Sequence, residues 1–163
     1  MIAIIDYGAG NIFSVKNALD YLGLAGELTS DPEAIRKADA LILPGVGAFP
    51  SAMQMLHDSG LTNIIQEEAH KKPFLGICLG LQLLFESSEE TPGVPGLGIL
   101  PGRILRIPDT PGLKIPHIGW NSLEIKKDGG LFRSITGEPY VYFVHSYYLK
   151  AEEDVVTATA QYG

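Results

Sequence analysis

Pro73-Phe74-Leu75-Gly76-Ile77-Cys78-Leu79-Gly80-Leu81-Gln82-Leu83-Leu84-Phe85-Glu86 changes period part-way along. Its first residues form a short apolar run bounded by proline, the pattern of a buried strand. After Gly76-Ile77-Cys78-Leu79-Gly80, Leu79, Leu83 and Phe85-Glu86 continue at helical spacing. Read as strand, turn and helix, the segment is the cysteine counterpart of the G-x-S-x-G nucleophile elbow. Small residues two before and two after the nucleophile allow a tight turn without a Cβ clash. A sulfur placed there sits at a helix N-terminus, where unpaired N–H groups favour the thiolate. A lone cysteine is more commonly a small buried hydrophobe. The flanking Gly76 and Gly80 favour the nucleophile, because a plain core strand gains nothing from them. Cys78 is the only cysteine of the chain, so neither a disulfide nor a multi-cysteine metal site is available, and no metal or cofactor is expected.

Working outward, the stretch sits among alternating strands and helices. Ile2-Ala3-Ile4-Ile5 and Ala40-Leu41-Ile42-Leu43 are continuous apolar runs, as in parallel strands covered on both faces. Between them, Ile12, Val15, Leu19 and Leu22 make one helical stripe ended by Gly23. Asp31-Pro32-Glu33 supplies an N-cap, a first-turn proline and a first-turn acid for a short helix. Residues 50–57 and 61–71 read as helices, the second through Leu61, Ile64, Ile65 and Ala69. From Glu89 the chain is punctuated by proline and glycine, followed by strand candidates at 103–107, 121–125, 140–148 and 155–162. The expected fold is α/β: a mostly parallel sheet flanked by helices, with a nucleophile elbow and a small antiparallel extension.

Length and composition narrow the class. The 163 residues fit one domain with a proper core. A hydrophobic fraction of 45% describes a compact chain. The net charge of −7 argues against a nucleic-acid partner, which needs clustered Lys and Arg. No signal peptide and no apolar run long enough for a bilayer are present, so no membrane is involved. A single free cysteine suits a reducing compartment, and a cytoplasmic location is expected.

A thiolate attacking a carbonyl needs oxyanion donors and a base. The N–H of Leu79 follows the nucleophile, and Pro44-Gly45-Val46-Gly47 would bring a second donor to the same sheet edge. The pattern fits a plain turn equally well. Among the histidines, His57 and His70 read as surface, and His117 lies in a loop or strand-edge setting. His145 is the tempting partner for Cys78 by position, yet no acid nearby orients it, so a packed histidine is an equal reading. Gly8-Ala9-Gly10 resembles the start of a dinucleotide fingerprint, but Phe13 stands where the third glycine is needed.

Five segments together resemble one family: Asp6–Asn11, Leu43–Phe49, Gly76–Gln82, Pro116–Asn121 and Tyr142–Tyr148. It is the glutaminase (glutamine amidotransferase) subunit of imidazole glycerol phosphate synthase, of histidine biosynthesis, and the resemblance runs over all 163 residues. The G-x-C-x-G motif is common to class I (triad) amidotransferases, whereas the opening loop and His117-x-Gly119-Trp120-Asn121 point to this subunit. The resemblance implies a Cys-His-Glu triad that hydrolyses glutamine to glutamate and ammonia. Ammonia then passes to a cyclase subunit, a (β/α)8 barrel in a heterodimer, which forms imidazole glycerol phosphate and releases AICAR. It makes Cys78 the nucleophile and assigns Gly45, Gly47 and Leu79 to the oxyanion hole and glutamine site. Gly80 and Gln82 face the glutamine, and His145, Ser146 and Tyr147 line its amino-acid end. Asn11, Trp120 and Tyr142 meet the cyclase. A Phe-His-Pro-Glu-like motif, which carries the triad His and Glu in this family, does not occur in these residues. The sequence is therefore expected to be an amidotransferase domain lacking its C-terminal segment, with little or no glutaminase activity alone and a tendency to self-associate. Two other readings stand beside it. One is another class I amidotransferase or cysteine hydrolase; the other is a catalytically silent protein that binds a barrel partner.

Overall fold

A computed structural model describes residues 1–127, 130–151 and 155–163. Four strands, β1 (Ile2–Ile5), β2 (Gly26–Thr29), β3 (Ala40–Leu43) and β4 (Phe74–Gly76), form a wholly parallel sheet in the order β2-β1-β3-β4. β1 and β3 are central, and Ala3, Ile4, Ile5, Leu41, Ile42 and Leu43 are all buried. Their sequences carry no polar alternation because helices cover both faces.

Helix α1 (Ile12–Tyr21) lies on one face, capped by Asn11, whose Oδ1 accepts from the Ser14 N–H at 3.2 Å. Leu19 is buried with Ile4 and Ile42, and Ile12 and Val15 pack beside them. Leu22 does not complete that stripe. The helix ends at Tyr21, and the turn that follows leaves Leu22 exposed. Three helices cover the opposite face: α2 (Pro32–Lys37), α3 (Phe49–Asp58) and α4 (Thr62–Ala69). The Asp31 carboxylate caps α2 by accepting from the Glu33 N–H at 3.0 Å, as the Asp-Pro-Glu pattern predicts. Phe49, Leu56, Ile65, Leu83 and Phe85 fill this larger core, each such side chain worth about 1.5–3 kcal/mol of burial. No helix among the described residues is long and apolar enough to cross a membrane.

The extension is assembled from short pieces. β5 (Ser87–Ser88) and β6 (Gly102–Arg106) pair in parallel, and β10 (Tyr147–Ala151) joins β6 antiparallel. β7 (His117–Ser122) and β9 (Tyr140–His145) make a two-stranded antiparallel ribbon, and β8 (Glu124–Ile125) pairs with β11 (Ala158–Thr159). Three sequence expectations are corrected here. The run 140–148 is two strands, because Ser146 breaks it and sends β10 to a different sheet from β9. The run 121–125 is likewise divided: Ser122 ends β7 and Leu123 separates it from β8. In 155–162 only Ala158 and Thr159 find a ladder partner.

Candidate active site

The elbow is present. Gly76 ends β4, and Cys78 caps the short helix α5 (Leu79–Leu83), shorter than the periodicity through Glu86 suggests because the chain leaves the helix after Leu84 to form β5. The Ile77 N–H donates to the Leu43 carbonyl at 3.0 Å, which ties the turn to the end of β3. Cys78 is exposed and holds φ 54°, ψ −115°, the one described non-glycine residue with positive φ. Such a conformation costs on the order of 1–3 kcal/mol and persists only where its surroundings impose it.

Those surroundings are glycines in close backbone contact. A Cβ on Gly80 would lie 1.9 Å from the Leu43 carbonyl oxygen, and one on Gly76 would lie 2.6 Å from Leu81 Cα. The loop after β3 fits against the elbow in the same way, since a Cβ on Gly45 would meet the Gly80 nitrogen at 2.5 Å. The Tyr7 hydroxyl donates to the Pro44 carbonyl at 3.0 Å, and burial pushes that phenol up to about 12. Loop and elbow are thus one packed unit at the carboxyl edge of the sheet, where ligands of open α/β sheets bind.

A cavity of about 360 Å³ opens beside the sulfur, within the roughly 300–1,000 Å³ of small-ligand sites. Gly47, Cys78, Leu79, Gln82, His145, Ser146 and Tyr147 all line it, although they come from three distant segments. Gly45 and Gly80 lie behind the cavity wall, buried, where they set the fit of loop against elbow. Asn11 is exposed at the start of α1. Trp120 and Tyr142 are cross-strand partners on the ribbon, edge to face at 5.6 Å and both more than half exposed.

Two residues have a larger place here than their sequence setting suggests. Glu90 lines the cavity, and its Oε2 accepts from the Phe49 N–H at 2.8 Å. It stands at the head of a proline- and glycine-rich loop, and no spacing there marks it. Of the loop or strand-edge settings open to it, His117 takes the strand: it begins β7, 2% exposed, stacked between Phe143 at 4.7 Å and Tyr162 at 3.7 Å. Its Nδ1 is 3.1 Å from His145 Nε2, and its Nε2 is 2.8 Å from Asn121 Oδ1. His145 Nδ1 meets the Tyr147 carbonyl at 2.9 Å. Both nitrogens of His145 are therefore engaged within the protein.

Comparison with known proteins places this geometry. Residues 3–163 match the family model "Glutamine amidotransferase class-I". The chain is 54% identical over 164 residues to "Imidazole glycerol phosphate synthase subunit HisH" of Moorella thermoacetica, covering 99% of this chain and 77% of that protein. The protein of the same name from Methanothermobacter thermautotrophicus is 53% identical over 166 residues, covering 100% of this chain and 80% of the relative. Solved structures extend the likeness of fold beyond that of sequence. A crystal structure of a glutamine amidotransferase superposes with TM-score 0.74 at 20% identity, covering 97% of this chain and 79% of that one. The PurLQS structure from Thermotoga maritima gives 0.71 at 19%, covering 98% and 73%. With the cysteine elbow, the loop after β3 and the HisH-like segments in one chain, the protein belongs to the class-I glutamine amidotransferases and, within them, to the HisH subunits of imidazole glycerol phosphate synthase.

Proposed function

We propose that residues 1–163 form a single glutamine amidotransferase domain in which Cys78 attacks the side-chain amide of glutamine. The observation that carries this is the cavity, which brings Gly47, Leu79, Gln82 and residues 145–147 around the one exposed thiol. The thiol sulfur adds to the amide carbon, the backbone N–H groups of Leu79 and Gly47 hold the oxyanion, and the C–N bond breaks as the thiol's proton passes to the nitrogen, which leaves as ammonia. Water then cleaves the thioester to glutamate. Glu90 places a carboxylate in the same cavity, complementary to the α-ammonium of an amino acid.

The partner is a cyclase subunit, a (β/α)8 barrel in a heterodimer, which uses the ammonia to form imidazole glycerol phosphate and release AICAR. Support comes from the outward face of the ribbon. Ile118, Trp120, Tyr142 and Val144 are each more than half exposed there, an apolar row of the kind that marks interaction surfaces. Asn11, Trp120 and Tyr142 are the contacts proposed for it.

Turnover by these residues alone is slow in this reading. His145 is the only histidine that lines the cavity among the described residues, and its ring nitrogens are both occupied. A missing general base costs about 10²- to 10⁴-fold. The test is alkylation by a glutamine analogue with an electrophilic carbon at the amide position. Expected is one adduct on Cys78, slowed by glutamine and absent from Cys78→Ala. Labelling that glutamine does not slow would leave the second reading, a silent subunit that only binds a barrel.

A further inference from the structure

Three contacts in line join four groups through the two histidines: the Asn121 Oδ1, His117, His145 and the Tyr147 carbonyl. The two ends of this line are both acceptors. A backbone carbonyl has only lone pairs, so His145 Nδ1 carries a proton. Asn121 is held in one orientation, because its Nδ2 donates to the Gln161 carbonyl at 3.0 Å. Turning the amide over would set its oxygen against that carbonyl, so Oδ1 faces His117 and His117 Nε2 carries a proton as well. The nitrogens left are His117 Nδ1 and His145 Nε2, 3.1 Å apart. Two bare lone pairs repel at that distance, and one proton between them makes a hydrogen bond.

We propose that His117 and His145 share three ring protons, so that the pair carries one positive charge behind the cavity wall at neutral pH and His117 acts as a positioning residue. Two neutral imidazoles supply only two protons, one too few for the line of contacts. The surroundings suit a buried cation. His117 is sandwiched between the faces of Phe143 and Tyr162, both within 19° of parallel, and aromatic faces attract a cation. Two carbonyl oxygens close the ends of the line. The titratable groups facing the pair are the Tyr162 phenol on the stack, and Cys78 and Glu90 across the cavity from His145. The consequence is local: the charged pair grips the Tyr147 carbonyl and so holds Ser146 and Tyr147, which line the cavity, in their bend.

The test is a histidine-¹⁵N-labelled chain read by ring nitrogen–proton correlation spectra at about pH 8, well above the ordinary histidine value of about 6.5. One doubly protonated ring is expected, assigned to His117 or His145, with the exposed His57 and His70 as references. Two singly protonated rings in the native spectrum would overturn the proposal. Asn121→Leu removes one terminal acceptor and should convert the pair to two neutral rings; a doubly protonated ring that persists there would also overturn it. His117→Phe keeps the stack and should leave His145 neutral with its proton on Nδ1. If either variant fails to fold, the native spectrum still decides. The pair exists whatever the cavity binds, so this result stands apart from the proposed glutaminase activity.

Discussion

The elbow and the ribbon line opposite walls of one cavity, yet they are held by different physics. Around Cys78 the fit is backbone on backbone: Gly45, Gly76 and Gly80 each sit where an added Cβ would come within 2.6 Å of main-chain atoms. Around His145 the fit is side chain on side chain, a stack of rings and a line of hydrogen bonds whose outer face is uncovered. The position of the Cys78 thiol is thus built into the sheet, while the His145 side of the cavity hangs on a two-stranded ribbon, and such ribbons are marginal alone. Errors on the two sides should therefore have very different costs.

The elbow side should give the largest effect. Gly80→Ala drives a methyl into the Leu43 carbonyl, and no rotamer relieves a clash with backbone. Destabilisation of about 3 kcal/mol or more is expected in denaturant titration. Gly60→Ala is the matched control: its φ is +72° with nothing within 4 Å, so only about 1 kcal/mol should be lost. Equal costs for the two would show that the elbow is no tighter than a surface turn. Cys78→Gly should move the other way. Glycine relieves the positive φ, offset by roughly 0.5–1 kcal/mol of added chain entropy. A net gain of about 1 kcal/mol is expected, together with complete loss of alkylation.

On the ribbon side, Trp120→Ala and Tyr142→Ala remove an exposed edge-to-face pair. Each should cost only about 0.5–1 kcal/mol of stability. Each should weaken binding to the proposed barrel subunit much more, by ten-fold or beyond, as truncated aromatic anchors do. Unchanged affinity measured by titration calorimetry would remove this face from the interface.

How legible each region was in the sequence follows from the same contrast. Backbone packing leaves a mark, because glycine at Gly76 and Gly80 is required and the run beside it is apolar; the elbow and the parallel strands could be read directly. Side-chain networks leave little. Nothing in Tyr140–Tyr148 shows that Ser146 divides two sheets, since the apolar and aromatic run continues through it. His117 looked peripheral because its partners, Phe143 and Tyr162, come from strands and ends far along the chain. Glu90 was hidden in a loop whose proline and glycine content obscured the cavity it lines.

The smallest effect expected is one that acid reveals on the sheet side alone. Glu68 on α4 is buried; its carboxylate bonds Lys72 Nζ at 2.8 Å and Lys71 Nζ at 2.9 Å, and Lys72 also donates to the carbonyls of Ile35 and Arg36 at the end of α2. The hydrogen bond from Lys72, then that from Lys71, holds the carboxyl at about 2, below its ordinary 4.5. A lowered folded-state value means that the unfolded chain binds the proton more readily, so this stability is present above about pH 4.5 and is lost as pH falls from there towards 2. Glu68→Gln should weaken the native protein at neutral pH and flatten the slope of its stability in that acid window. Hydrogen exchange should report the acid loss at α2 and α4. Among the described residues no carboxylate is hydrogen-bonded to the His117–His145 pair, so the ribbon should not share this term. If ribbon amides lose protection with the same midpoint as α2 and α4, the two walls open as one cooperative unit, and the difference between them lies in local fit rather than in separable stability.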